Sequence, residues 1–158
     1  MNKPQDQLAT RCGYVALIGV PNAGKSTLVN ALVGAKVSIV SRKVQTTRTL
    51  VRGIAMVNET QIIFVDTPGI FSPKRRLERA MVTSAWGGAA EADAVALVID
   101  AKKGIDAEVQ ALLSSLKDWK KPIMLILNKV DIVDRPYLLT LAEKLNLIIP
   151  FSDTFMVS

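Results

Sequence analysis

"GVPNAGKSTLVNAL", residues 19–32, lies between the apolar run "YVALI" (14–18) and an apolar helical pattern. Two glycines, a proline, an asparagine, a lysine and two hydroxyl residues crowd the point where a strand gives way to a helix. Gly19, Gly24, Lys25 and Ser26 fit G-x-x-x-x-G-K-[ST], in the strand–turn–helix context that gives this motif its meaning. The glycines let the backbone wrap closely, so that the N–H groups around Asn22, Ala23, Gly24 and Thr27 can cradle phosphate oxygens. The helix adds its positive N-terminal end. Lys25 supplies a point charge for the β- and γ-phosphates, and the Ser26 hydroxyl is a ligand for Mg²⁺.

Working outward, 14–20 reads as a buried strand and 25–34 as a helix closed by Gly34. "LVRGIAMV" (50–57) and "QIIFVD" (61–66) read as a hairpin across "NET". Leu77, Met81, Ser84, Ala85 and Gly88 fall at helical spacing, with an end or kink expected at Gly87 and Gly88. "AVALVIDA", "PIMLILN" and "FMVS" (155–158) are further strands. Asp106 and Asp134 are expected to cap the two helices between them. Apolar strands alternating with amphipathic helices mean a mainly parallel sheet covered on both faces. Ligands of such sheets sit at the carboxyl ends of the strands.

Two further motifs fall at such ends. In "IIFVDTPG" (62–69), Asp66 closes a strand and can hold Mg²⁺, while Gly69 can offer its N–H to a γ-phosphate. In "NKVD" (128–131), the Asp131 carboxylate suits guanine, which presents donors at N1 and N2, and leaves adenine unmatched. Asn128 can contact the base or pin the loop, and the Lys129 stem can cover the ring.

The chain has 158 residues, a net charge of +6, one cysteine (Cys12) and no histidine. One domain is expected over 14–158 after a flexible arm over 1–13. The positive balance favours an anionic partner: nucleotide phosphate, RNA or an acidic membrane. An internal disulfide and Ser-His-Asp or Cys-His catalysis are excluded. A polar N-terminus and the lack of any long apolar run point to a cytoplasmic protein.

The three motifs in this order resemble the translation-factor-related GTPases. "GVPNAGKSTLVNAL" and the loop "SIVSRKVQTTR" (38–48) resemble the bacterial Era GTPases in particular. Related tandem GTPases follow T-T-R with aspartate, where this chain has Thr49. The resemblance implies a P-loop GTPase fold: a mainly parallel six-stranded sheet with one antiparallel edge strand. It implies GTP/GDP and Mg²⁺ as cofactors, with Thr47 the loop ligand (Thr46 the fallback), beside Ser26 and Asp66. Lys25, Thr47 and Gly69 are the expected catalytic set. It also implies 16S rRNA and the small ribosomal subunit as partners through a C-terminal KH domain that lies beyond Ser158. Ser158 falls where the family's last guanine-contacting loop begins, so an incomplete base pocket is expected. No stable oligomer is expected, and peripheral association with the inner membrane is a further expectation. Ile70 stands where Ras-like enzymes carry a glutamine, so slow turnover is expected. Asn22 either tolerates a tight turn or, as in potassium-activated relatives, binds K⁺. The basic runs 41–43 and 74–76 suit an anionic partner.

Overall fold

The computed structural model describes residues 10–41 and 47–158. Strands β1 (Arg11–Ile18), β2 (Val51–Val57), β3 (Thr60–Asp66), β4 (Ala94–Asp100), β5 (Ile123–Asn128) and β6 (Asp153–Met156) form one sheet in the order β2-β3-β1-β4-β5-β6. Only β2 runs antiparallel, against β3, and all the other pairs are parallel. The helices are α1 (Lys25–Val33), α2 (Arg76–Glu91), α3 (Ala107–Leu116) and α4 (Arg135–Ile148). β1 lies between β3 and β4, so the chain leaves it to one side and later returns to the other. The crevice at the carboxyl end of β1 is therefore the topological switch point, and residues 19–24 fill it.

β4 explains why the parallel strands read as unbroken apolar runs. Val95, Leu97, Val98 and Ile99 are all buried, because the sheet is covered on both sides. Each such side chain contributes roughly 2 kcal/mol of burial. β2 shows the two faces directly. A Cβ on Gly53 would meet Val33 and Val29 of α1, whereas the adjacent Arg52 lines a small cavity with Gly88 and Glu91 of α2. Successive strand residues point to opposite faces, so α1 and α2 lie on opposite sides. The indole rings of Trp86 on α2 and Trp119 after α3 meet at a 44° tilt with centroids 5.9 Å apart.

Several boundaries differ from the sequence reading. β1 begins at Arg11, inside the expected arm, because Arg11–Gly13 pair with Thr60–Ile62 of β3. β6 begins at Asp153, two residues before "FMVS". α2 runs through both glycines to Glu91. Gly88 is buried where a Cβ would press on Leu50, so close packing compensates its low propensity; Gly87 has open space instead. Asp106 caps α3 as expected, its Oδ1 accepting from Val109 N–H at 2.8 Å. Asp134 occupies the cap position of α4 and its carbonyl accepts from Leu138 N–H, but its side chain makes no capping hydrogen bond, and Pro136 in the first turn offers it no N–H.

Two glycines should therefore respond oppositely to alanine. Gly87→Ala should stabilise the protein by about 0.5–1 kcal/mol, from helix propensity alone. Gly53→Ala, driven into the valines of α1, should destabilise it by about 1–3 kcal/mol. Urea unfolding of both variants checks this, and equal shifts would contradict the packing described.

Candidate functional site

The loop between β1 and α1 is shaped by two close approaches. A Cβ on Gly19 would lie 2.5 Å from the Val98 carbonyl oxygen, so only glycine lets the loop pass over β4. Gly24 has φ 101° and touches Asn128, whose side-chain amide donates to the Ala23 carbonyl at 3.0 Å. Asn22, with φ 60°, is also left-handed, a conformation asparagine tolerates. Ala23 is buried and Thr27 exposed. No side chain caps the N-terminus of α1, and no acidic residue lies in its first turn. Its N–H groups suit an anion.

Lys25 is buried and donates to the carbonyls of Val20 (2.9 Å) and Gly19 (3.2 Å). Burial pulls its pKa down to about 8, against the opposing pull of the Asp66 charge. A bound phosphate would favour the protonated form.

Asp66 is the centre of the second half of the site. Its Oδ2 accepts from Ser26 Oγ at 2.6 Å, Ser38 Oγ at 2.5 Å and Thr47 Oγ1 at 3.2 Å. The Ser26 and Thr47 oxygens are 3.0 Å apart. Three hydroxyls thus crowd an oxygen with two lone pairs. The other carboxylate oxygen, Oδ1, is buried and has no partner among the described residues. Such an all-oxygen set, with a single carboxylate and an orphaned oxygen, fits Mg²⁺. Thr46, the fallback for Thr47, lies outside the described residues, as do Arg42 and Lys43 of the first basic run.

Gly69 also meets a close approach: a Cβ there would lie 2.7–2.8 Å from three atoms of Pro21. Ile70 N–H donates to the Gly19 carbonyl at 2.9 Å, and its side chain joins the core. Ile70 therefore cannot orient a water. Thr67, which the sequence did not single out, fixes this segment by donating to the Leu17 carbonyl at 2.6 Å.

The third motif leans on the first. Asn128 pins the phosphate loop, as described, and Lys129 (φ 63°) donates to the Asn22 carbonyl at 3.0 Å. The Lys129 ammonium also pairs with Asp100 at 2.7 Å. Burial pushes the Asp100 pKa up, but the Lys129 hydrogen bond and charge, with two backbone N–H groups, outweigh it and leave the carboxyl below its ordinary value. Asp131 stands exposed in the 3₁₀ turn Val130–Ile132. Val130 N–H donates to the Val157 carbonyl at 3.3 Å, which brings Ser158 beside that turn.

Asp100 and Ser38 are the participants that sequence reasoning missed. Asp100 had a readable signal: like Asp66, it is the acidic residue that closes an apolar strand. Ser38 had none, because only tertiary folding carries the root of its loop to β3.

Comparisons with known proteins agree with this geometry. The family model described as 50S ribosome-binding GTPase matches residues 14–129. GTPase Era of Bradyrhizobium diazoefficiens is 63% identical over 150 residues, 95% of this chain and 49% of that protein. GTPase Era of Brucella suis is 63% identical over 149 residues, 94% of this chain and 48% of that protein. The chain thus spans about half the length of these curated relatives. A crystal structure of Era with MgGDPNP and nucleotides 1506–1542 of 16S ribosomal RNA superposes with a TM-score of 0.89 at 39% identity, covering 95% of this chain and 52% of that one. The motif geometry, the match over 14–129 and the relatives at 63% identity together establish that this chain belongs to the 50S ribosome-binding GTPase family, as a GTPase domain of the Era type.

Proposed function

We propose that the protein is a molecular switch that binds and hydrolyses GTP and acts in small ribosomal subunit assembly and 16S rRNA maturation. The observation that carries the nucleotide reading is the convergence of Ser26 and Thr47 on Asp66 beside the phosphate loop, with one carboxylate oxygen left orphaned. Ser26, Thr47 and Asp66 would hold Mg²⁺, which supplies charge neutralisation at the phosphates when bound. The ribosomal reading is supported by the Era relative solved with 16S rRNA.

The roles follow from chemistry. Lys25 and the backbone N–H groups of residues 22–27 bind the phosphates and stabilise charge as it develops on the γ-phosphoryl group. The Gly69 N–H and Thr47 hold the γ-phosphate and the attacking water, a task for which Ile70 is unsuited. Asp131 accepts from guanine N1 and N2, the Lys129 stem covers the ring, and Ser158 lies where a last base contact would begin. The protein acts in the cytoplasm, with peripheral contact to the inner membrane as a secondary location, and forms no stable oligomer.

A second reading, a GTP/GDP-controlled RNA- or protein-binding module with incidental hydrolysis, is favoured by one feature. Lys74, Arg75, Arg76 and Arg79 are exposed at the start of α2, and none forms an ion pair among the described residues. Glu78 reaches back at the surface to accept from the N–H groups of Lys74 and Arg75 rather than meeting an arginine head. Measuring GTP turnover with and without small ribosomal subunits decides between the two. A switch in assembly should be stimulated by the subunit, and a module with incidental hydrolysis should not.

Three expectations test the site. Asp131→Asn should move preference from guanine towards xanthine, whose C2 oxygen matches an amide donor; a parent that bound ATP and GTP equally would remove the base assignment. GTP hydrolysis should be faster in K⁺ than in Na⁺ at equal ionic strength, and Asn22→Ala should abolish the difference. The parent rate being indifferent to the cation would end the K⁺ proposal. Asp100→Asn should unpair Lys129 and weaken guanine nucleotide binding by about one order of magnitude, the loss of a charge-assisted hydrogen bond. Because the folded state lowers the Asp100 pKa, the pair stabilises the fold above the ordinary aspartate pKa of about 3.9 and is lost as pH falls through the lower folded value. The gap in urea stability between parent and Asp100→Asn, open at neutral pH, should therefore close in strong acid.

A further inference from the structure

Ser38 is not among the residues that the phosphate, metal and base motifs supply, yet it is buried against the centre of the site. Its hydroxyl makes the shortest of the three hydrogen bonds to Asp66, at 2.5 Å. Its backbone is held just as firmly. Asn30 of α1 accepts from the N–H groups of Val37 (2.9 Å) and Ser38 (2.8 Å) and donates to the Ser38 carbonyl at 3.0 Å. Asn30 lies four residues after Ser26, so both occupy one face of α1. That face therefore reaches Asp66 twice: directly through Ser26, and indirectly through Asn30 and Ser38.

The three hydroxyls on Asp66 differ in what else they can do. Ser26 and Thr47 are the proposed metal ligands, and a bound cation claims their oxygen lone pairs. Ser38 is fixed by the Asn30 clamp and donates to Oδ2, the oxygen opposite the orphaned Oδ1. We infer that Ser38, clamped by Asn30, is a positioning residue that holds the Asp66 carboxylate with Oδ1 free for the metal and ties the root of the 38–48 loop to metal occupancy. The inference rests on the reading of Asp66 as the magnesium carboxylate. Groups that hydrogen-bond a ligating carboxylate set its orientation, and their loss typically weakens metal binding by about tenfold or more.

The test is a titration of a fluorescent GDP analogue with the parent protein and its variants, at a series of Mg²⁺ concentrations and in EDTA. Ser38→Ala should raise the Mg²⁺ concentration for half-maximal effect by about tenfold, with affinity in EDTA unchanged. Ser38→Thr keeps the hydroxyl and should remain close to the parent. Asn30→Ala should act in the same direction, and the double variant should be no worse than Ser38→Ala, because the two lie on one path. An unchanged Mg²⁺ midpoint in Ser38→Ala would overturn the inference. So would an equal loss of affinity in EDTA, a Ser38→Thr variant as impaired as Ser38→Ala, or multiplicative effects in the double variant. A parent with no Mg²⁺ dependence at all would defeat the metal reading itself, and this inference with it.

Discussion

The buried carboxylate of Asp66 is the constraint on which the site depends. It stands at the end of β3, fully buried, with no salt bridge among the described residues. A charge there is expensive unless hydrogen bonds or a cation compensate it. The protein supplies three hydroxyls from three different places: Ser26 on α1, and Ser38 and Thr47 from either end of the loop between α1 and β2. Ser38 and Thr47 tie the two ends of that loop to β3, and Ser26 ties in the first turn of α1. The carboxylate thus organises α1, the loop and β3 around one point, and leaves one buried oxygen without a hydrogen-bond partner among the described residues.

The phosphate loop works by a different constraint, that of backbone packed against backbone. Gly19 passes within reach of the Val98 carbonyl, Gly69 presses on Pro21, and Gly24 touches the Asn128 amide. At none of these points would a side chain fit. The result is a loop held by its neighbours rather than by its own side chains, leading into a helix N-terminus that no side chain caps. Lys25 shares this buried region with Asp66: burial disfavours its ammonium, and the carboxylate favours it.

The base-side motif is not separate from the phosphate side. Asn128 and Lys129 both spend hydrogen bonds on the phosphate loop, and Asp100 holds the Lys129 ammonium. The carboxyl ends of β3, β4 and β5 each carry a polar residue, Asp66, Asp100 and Asn128, directed into one crevice. That crevice exists because the strand order reverses at β1. Topology brings the three motifs together, and the apolar strands that carry them keep them rigid.

Much of this was written in local sequence. The glycine spacing at 19 and 24, the apolar runs and the helical stripes depend on neighbours a few residues away, so the alternating α/β order, the phosphate loop and Asp66 were legible. Asp106 as a helix cap was legible for the same reason. What sequence could not resolve depended on distant partners. α2 continues through Gly88 because Leu50 packs into the space that a side chain would have filled. β1 starts early because β3 offers it partners. Asp134 stands at the cap position of α4 without a side-chain capping bond, and Pro136, two residues on, has no N–H to offer it. Ser38, Asn30 and Thr67 are ordinary polar residues in sequence, and only the fold brings Ser38 and Thr67 to Asp66 and β1. Local physics determined which elements form and where the phosphates belong. Tertiary structure decided which hydroxyls meet the buried carboxylate, because hydrogen bonds between distant segments leave no periodic trace in the chain.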